Sequence, residues 1–191
     1  MPTLRLILGD QLNRNHSWFN EPDDNITYCL FETWSETNYT RHHVQKITGF
    51  FLALRHFAAH LREQGHQVIY RTLDETRELQ LESITDNLLH SAGELGADTV
   101  AYQLPDEYRL DQELKSLSEN FGGVINVNDS EHFLSSRTDL AELFKGKKSY
   151  LMETFYRMMR KRHKVMMEPN GEEPLTGKWN YDHDNRGSLP K

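Results

Sequence analysis

Two groups of polar side chains in this chain have the spacing of a site. The first is Gly9-Asp10-Gln11, which closes an apolar run, and the second follows the next apolar run and holds Glu32, Glu36, Tyr39, His42 and His43. A glycine lets a ligand approach the backbone, while aspartate and glutamine supply an acceptor and an amide; the plainer reading of Gly-Asp is a strand-ending turn. Glu32 and Glu36 put two carboxylates near one loop, the minimum for acid–base work. The plainer alternatives are that both are solvated, or that Glu36 caps a helix beginning near Thr40. A further reading has Glu36 and Tyr39 hydrogen-bonding the polar edge of a heteroaromatic ring, with Trp34 or Tyr39 packed against it. His42, His43, His56 and His60 invite a metal, but a metal needs three or four ligands and the chain has no His-Glu-x-x-His and only Cys29 as a thiol. They read as polar-face histidines. His43, Lys46 and Phe50 fall on one helix face and border a pocket.

The elements that must position these groups can be read from hydrophobic period and stop signals. Residues 3–8, 26–31, 67–73, 99–104 and 124–127 are short apolar or β-branched runs bounded by Gly, Pro, Asn or Asp, as buried strands are. Between them lie helical patterns. The longest carries Val44, Ile47, Phe51, Leu54, Ala58 and Leu61 and stops at Gly65. A second carries Leu81, Ile84, Leu88, Ala92 and Leu95, and a third Leu110, Leu114, Leu117 and Phe121. Strand and helix in alternation predict an α/β, Rossmann-like doubly wound fold: a five-stranded parallel sheet, order 3-2-1-4-5, with helices on both faces. Both polar groups then fall outside the carboxyl ends of the strands, where such sheets hold ligands. The chain has no Gly-x-Gly-x-x-Gly after a strand and no phosphate-binding Gly-Lys-Ser/Thr loop, which argues against a dinucleotide or nucleoside-triphosphate site.

A formal charge of −7 argues against broad nucleic-acid affinity. Basic residues concentrate only at Lys145, Lys147, Lys148, Arg157, Arg160, Lys161, Arg162 and Lys164, where a solvated face is expected in preference to a DNA contact. One cysteine forbids an intrachain disulfide or a four-cysteine cluster, and fits a reducing cytoplasm. Cys29 lies within a buried strand and is expected to be inert. No apolar run is long enough for a membrane span, and the N-terminus enters a strand directly. The pattern changes after Asn128, giving residues 1–150 as one domain and 151–191 as a helix and linker. The stretch from Pro169 onward is too poor in apolar residues to fold alone.

Several separated motifs together resemble the deoxyribodipyrimidine photolyase-related family, the iron–sulfur bacterial cryptochrome and photolyase branch. They are Leu8-Gly9-Asp10-Gln11-Leu12, Glu36-x-x-Tyr39-x-x-His42-His43, Arg55-His56-Phe57-Ala58, Met152-Glu153-x-Phe155-Tyr156-Arg157-x-Met159-Arg160 and Gly177-Lys178-Trp179-Asn180-Tyr181-Asp182. The resemblance implies an N-terminal antenna domain that holds 6,7-dimethyl-8-ribityllumazine and passes its excitation to FAD. The FAD, a 4Fe-4S cluster and the damaged-DNA site belong to a C-terminal helical domain of the same protein, whose positions lie beyond Lys191. By position, the antenna pocket falls on Gly9, Asp10, Gln11, Glu36, Tyr39, His43 and Phe50. At the last of these the resemblance implies a smaller aliphatic residue, so Phe50 narrows the pocket. Repair of cyclobutane dimers, repair of 6-4 photoproducts and light signalling all stay open, as does a stand-alone nucleotide-binding or signalling module on the same fold.

Overall fold

The computed structural model describes residues 2–182 and Gly187. Two compact units make up the chain, Met1–His132 and Phe133–Lys191. Their junction lies upstream of the position near residue 150 that the sequence pattern suggested.

The first unit is a five-stranded parallel sheet in the order β3-β2-β1-β4-β5, with β1 Thr3–Leu6, β2 Ile26–Phe31, β3 Gln67–Arg71, β4 Thr99–Gln103 and β5 Val124–Asn128. The expected order and class are therefore those of the protein. β1 is central, with Leu4 opposite Thr27 on one side and Val100 on the other. Side chains along the strands alternate between two cores, as a period of two requires. Leu4, Leu6, Cys29, Phe31, Val100 and Tyr102 face one core. Ile7, Tyr28, Leu30 and Ala101 face the other.

Helices cover both faces. α1 is Trp34–Asn38, α2 Val44–Glu63, α3 Leu73–Glu78, α4 Ile84–Leu95, α5 Tyr108–Lys115 and α6 Leu117–Asn120. α2 buries Leu54, Phe57, Ala58 and Leu61 on the side of Tyr28 and Leu30, and α4 and α5 bury Leu88, Ala92, Leu110 and Leu114 on the other. Gly65 (φ +89°) and Gly96 (φ +63°) turn the chain out of α2 and α4 in the left-handed region that suits glycine. α4 opens on a reciprocal cap. The Ser83 hydroxyl accepts from the Asp86 amide at 3.0 Å, and the Asp86 carboxylate accepts from the Ser83 amide at 3.1 Å. Replacing Ser83 by alanine is expected to cost about 1 kcal/mol in urea unfolding, with the slope of the transition unchanged.

Three local features depart from the sequence reading. α1 occupies what reads as loop. Five residues are too few to hold a helix alone, and α1 is docked by the Ser35 amide donating to the Glu82 carbonyl at 3.2 Å. α2 starts at Val44 rather than near Thr40, because the His43 imidazole caps it by accepting from the Gln45 amide at 3.2 Å. Glu36 therefore belongs to α1 and caps nothing in α2. α3 is short and carries no apolar stripe; the Thr72–Glu75 capping box defines it.

The second unit contains α7, Asp139–Leu143, and α8, Met152–His163. Of the basic residues named above, Lys145, Lys147, Lys148, Arg157, Lys161, Arg162 and Lys164 are exposed, as expected of a solvated face, and Arg160 is the exception. Arg160 is 9% exposed and donates to the carbonyls of Val165, Met166 and Trp179, at 3.1, 2.6 and 3.0 Å. Arg157 pairs with Glu153, Lys161 with Glu172 and Arg162 with Asp139. Trp179 lies under the cations of Arg157, Arg160 and Lys161. The stretch read as a linker from Pro169 contacts α8 through Trp179 and Asn180, and a bridge joins Met167 and Pro174. Arginine donors there replace the missing apolar material.

No helix among the described residues is long and apolar enough to cross a membrane.

Candidate functional site

The order β3-β2-β1-β4-β5 reverses direction between β1 and β4, which opens a crevice at the carboxyl end of β1. A cavity of about 160 Å³ sits there. Its floor is apolar, from Leu6, Leu8, Phe31, Ile47, Phe51, Leu54, Ile84 and Leu110. Its rim is polar and charged, from Asp10, Glu36, Thr37, Tyr39, His42, Lys46 and Glu107. An apolar floor under a few convergent polar groups is the usual form of a small-molecule site.

Of the seven residues singled out from sequence, Gly9, Asp10, Glu36, Tyr39 and Phe50 line this cavity together. Gln11 does not. It is 1% exposed, and its Oε1 accepts from the Leu8 amide at 3.1 Å while its Nε2 donates to the Gln103 carbonyl at 3.2 Å. Its amide ties the ends of β1 and β4 and shapes the loop from below. His43 stands outside the lining as the exposed cap of α2, and His42 takes the rim position, with Nδ1 3.2 Å from the Lys46 ammonium. Trp34 is exposed and lies off the lining.

Phe50 and Gly9 are in direct contact. A Cβ placed on Gly9 would lie 2.1 Å from Phe50 Cζ, so the aromatic ring occupies the space a side chain at position 9 would need. A side chain at position 9 would displace the ring, and Phe50 itself forms part of the cavity wall. The volume is below the ~300 Å³ at which drug-sized ligands are normally enclosed.

The two carboxylates of the loop have separate fates. Glu32 is 1% exposed and accepts four hydrogen bonds: from Arg55 Nε (2.6 Å) and Nη2 (3.0 Å), from the Tyr70 hydroxyl (2.6 Å) and from the Leu73 amide (2.9 Å). Burial alone would raise its pKa. The bonds from Arg55, Tyr70 and the Leu73 amide outweigh burial and hold it below the ordinary carboxylate range. A carboxylate so committed is a brace between β2, β3, α2 and α3, not a proton carrier. Glu36 faces the cavity and pairs with Arg109 at 2.6 Å. Burial raises its pKa, against the pull of Arg109, and Glu107 and Glu113 push it up further. Asp10 is raised as well, first by loss of surrounding water and then by Asp106 and Glu107, against its backbone bond and His132.

Arg109 carries no signal in the sequence. It reaches Glu36 across 73 positions, lies 4.4 Å over the Tyr39 ring, and donates to Glu107 at 2.9 and 3.0 Å. Only the fold brings it to the site. Among the described residues, no three His, Cys, Asp or Glu side chains converge as a metal centre needs. Cys29 is fully buried, and burial pushes its thiol far up.

Comparison with known proteins places this architecture. The chain is 35% identical over 189 residues to the "(6-4) photolyase" of Agrobacterium fabrum (strain C58), covering 97% of this chain and 36% of that protein. It therefore spans about a third of that relative's length. It is 24% identical over 198 residues to the "Uncharacterized protein R852" of Acanthamoeba polyphaga mimivirus, covering all of this chain and 96% of that one. A family model described as deoxyribodipyrimidine photo-lyase-related protein matches residues 5–191, nearly the full length. This chain belongs to the deoxyribodipyrimidine photo-lyase-related protein family.

Proposed function

We propose that the first unit is an antenna module that binds a flat, bicyclic heteroaromatic chromophore of the ribityllumazine class at the crevice between β1 and β4. The observation that carries this reading is the cavity itself: an apolar floor at the carboxyl end of β1, walled by Tyr39 and rimmed by Glu36, Asp10 and His42. These residues fit a lumazine in kind. Phe31, Ile47 and Leu110 offer van der Waals contact to ring faces, and Glu36 and Asp10 offer acceptors to ring N–H or ribityl hydroxyl groups. Phe50 lines the same cavity and narrows it. When bound, the chromophore would absorb near-ultraviolet and blue light and hand the excitation to a flavin in a second domain. With one cysteine, this chain cannot itself ligate a four-cysteine cluster. The flavin, the cluster and damaged DNA are proposed partners of that second domain, in a light-driven repair photolyase or a photoreceptor relative working in the cytoplasm.

Titration of the purified protein with 6,7-dimethyl-8-ribityllumazine is expected to shift its near-ultraviolet band and quench its fluorescence. No change up to about 50 μM, a weak affinity by ordinary standards, would remove the antenna reading.

A second reading is a stand-alone ligand-binding module without a flavin partner. The match to the mimivirus protein over 96% of its length favours it, since that relative has no room for a large additional domain. The downstream reading frame separates the two: several hundred further codons with four cysteines support the antenna module.

A further inference from the structure

We propose that Arg109 is the positioning residue of the pocket: from the far side of the crevice it holds the Glu36 carboxylate and the Tyr39 ring, and so fixes the acceptor that a bound heteroaromatic ring meets. The ligand half of this rests on the chromophore reading above; the hold on Glu36 does not.

Glu36 lies in α1, after β2, and Arg109 in the first turn of α5, after β4. The elements follow different strands, and the Glu36–Arg109 pair joins them beside the cavity. Arg109 Nη2 meets Glu36 Oε1 at 2.6 Å, and no hydrogen bond among the described residues falls on Oε2. One oxygen is therefore tethered and the other is left for a ligand. The guanidinium does a second task at the same time, its Cζ lying 4.4 Å from the centroid of the Tyr39 ring. Glu107 orients it from its own loop through Nε and Nη2. A planar fork can make in-plane bonds and a face contact together, and a lysine ammonium cannot.

The charges around Glu36 give the arrangement a signature. Glu107 and Glu113 face it from the α5 side, and both favour its neutral form, as burial does. Across the cavity stand Asp10, which adds to the acidic surroundings, and His42 and Lys46 of the α2 side. Arg109 is the cation in hydrogen-bond contact that opposes this pressure. Without it, Glu36 takes a proton at higher pH and changes from acceptor to donor, which inverts what it offers a ring N–H.

The test follows the Glu36 carboxyl carbon by NMR over pH in ¹³C-glutamate-labelled protein, without ligand. E36Q assigns the resonance, and thermal unfolding confirms that each variant is folded. R109A is expected to move the Glu36 midpoint upward, and R109K to restore most of it. In parallel, R109A should weaken ribityllumazine binding at least tenfold at neutral pH, with the affinity loss growing as pH falls toward the wild-type Glu36 midpoint and shrinking below it, and R109K should recover part of that loss. A Glu36 midpoint unmoved in R109A overturns the proposal. So does unchanged affinity in R109A when the wild type binds. If the wild type binds no ribityllumazine while the midpoint moves, Arg109's hold on Glu36 stands and the chromophore reading falls.

Discussion

Replacing Phe50 by valine is expected to tighten binding of the ribityllumazine at least tenfold, a gain of ~1.4 kcal/mol. The ring of Phe50 lies against the bare Cα of Gly9, where a Cβ would be 2.1 Å from it, and it lines and narrows a cavity of about 160 Å³. Valine keeps an apolar wall and withdraws most of the ring. The same contact predicts strong coupling on the stability side, read without any ligand. Gly9→Ala alone forces the ring to move and should cost about 1–3 kcal/mol, as overpacking does. In the presence of Phe50→Val the same change should cost well under 1 kcal/mol. A double-mutant cycle in urea gives the coupling directly. Additive effects would show that the two positions do not share the space that their geometry assigns them.

The second large effect is at Glu32. Its four hydrogen bonds join β2 to α2, β3 and α3 in one network around a side chain almost without solvent contact. Glu32→Ala strands the Tyr70 hydroxyl and the Leu73 amide and is expected to cost about 3 kcal/mol. Arg55→Ala should cost about 2 kcal/mol. It leaves the buried carboxylate, but solvent reaches the half-exposed arginine end of the pair and Tyr70 and Leu73 remain as donors. The pH dependence has a definite sign. Glu32 is held below the ordinary carboxylate range in the fold. Its contribution is therefore complete above that range and is lost as pH falls through the depressed folded pKa. Glu32→Gln, which lacks the charge, should be less stable than the wild type at neutral pH, and the gap should close in acid. A gap that stays constant from neutral pH down to acid would mean that ionisation of Glu32 contributes nothing.

Much of the fold was legible because the determinants are periodic. The apolar runs at β2 and β4 are broken by polar or proline stops, and α2 and α4 each end at a glycine that is in fact left-handed. What was not legible depends on contacts made at a distance. α1 has too few residues to signal itself and exists by docking on the Glu82 carbonyl. α2 begins four residues late because His43 spends its imidazole on a cap, and that single event moves His43 off the rim and leaves His42 on it. Gln11 reads as a ligand amide from its neighbours, yet the Leu8 amide and the Gln103 carbonyl claim both ends of it. Glu32 and Glu36 look like a pair in sequence, and Arg55 and Arg109 pull them to different tasks. Neither arginine carries a local motif that would announce its partner.

The central place of β1 has a consequence for how the crevice comes into being. Thr3 pairs with Ile26 within a short span, but its other neighbour is Thr99, ninety-six residues later. Contacts of such separation are made slowly, because the intervening chain must be ordered first. During synthesis the β1–β2 edge can form early, while the side of the crevice that carries Gln103, Glu107 and Arg109 waits until β4 and the turn after it have left the ribosome. Until then the apolar side chains of β1 lie beside an unpaired strand edge, and the nascent chain is most open to mispairing at the place where the finished protein would hold its ligand.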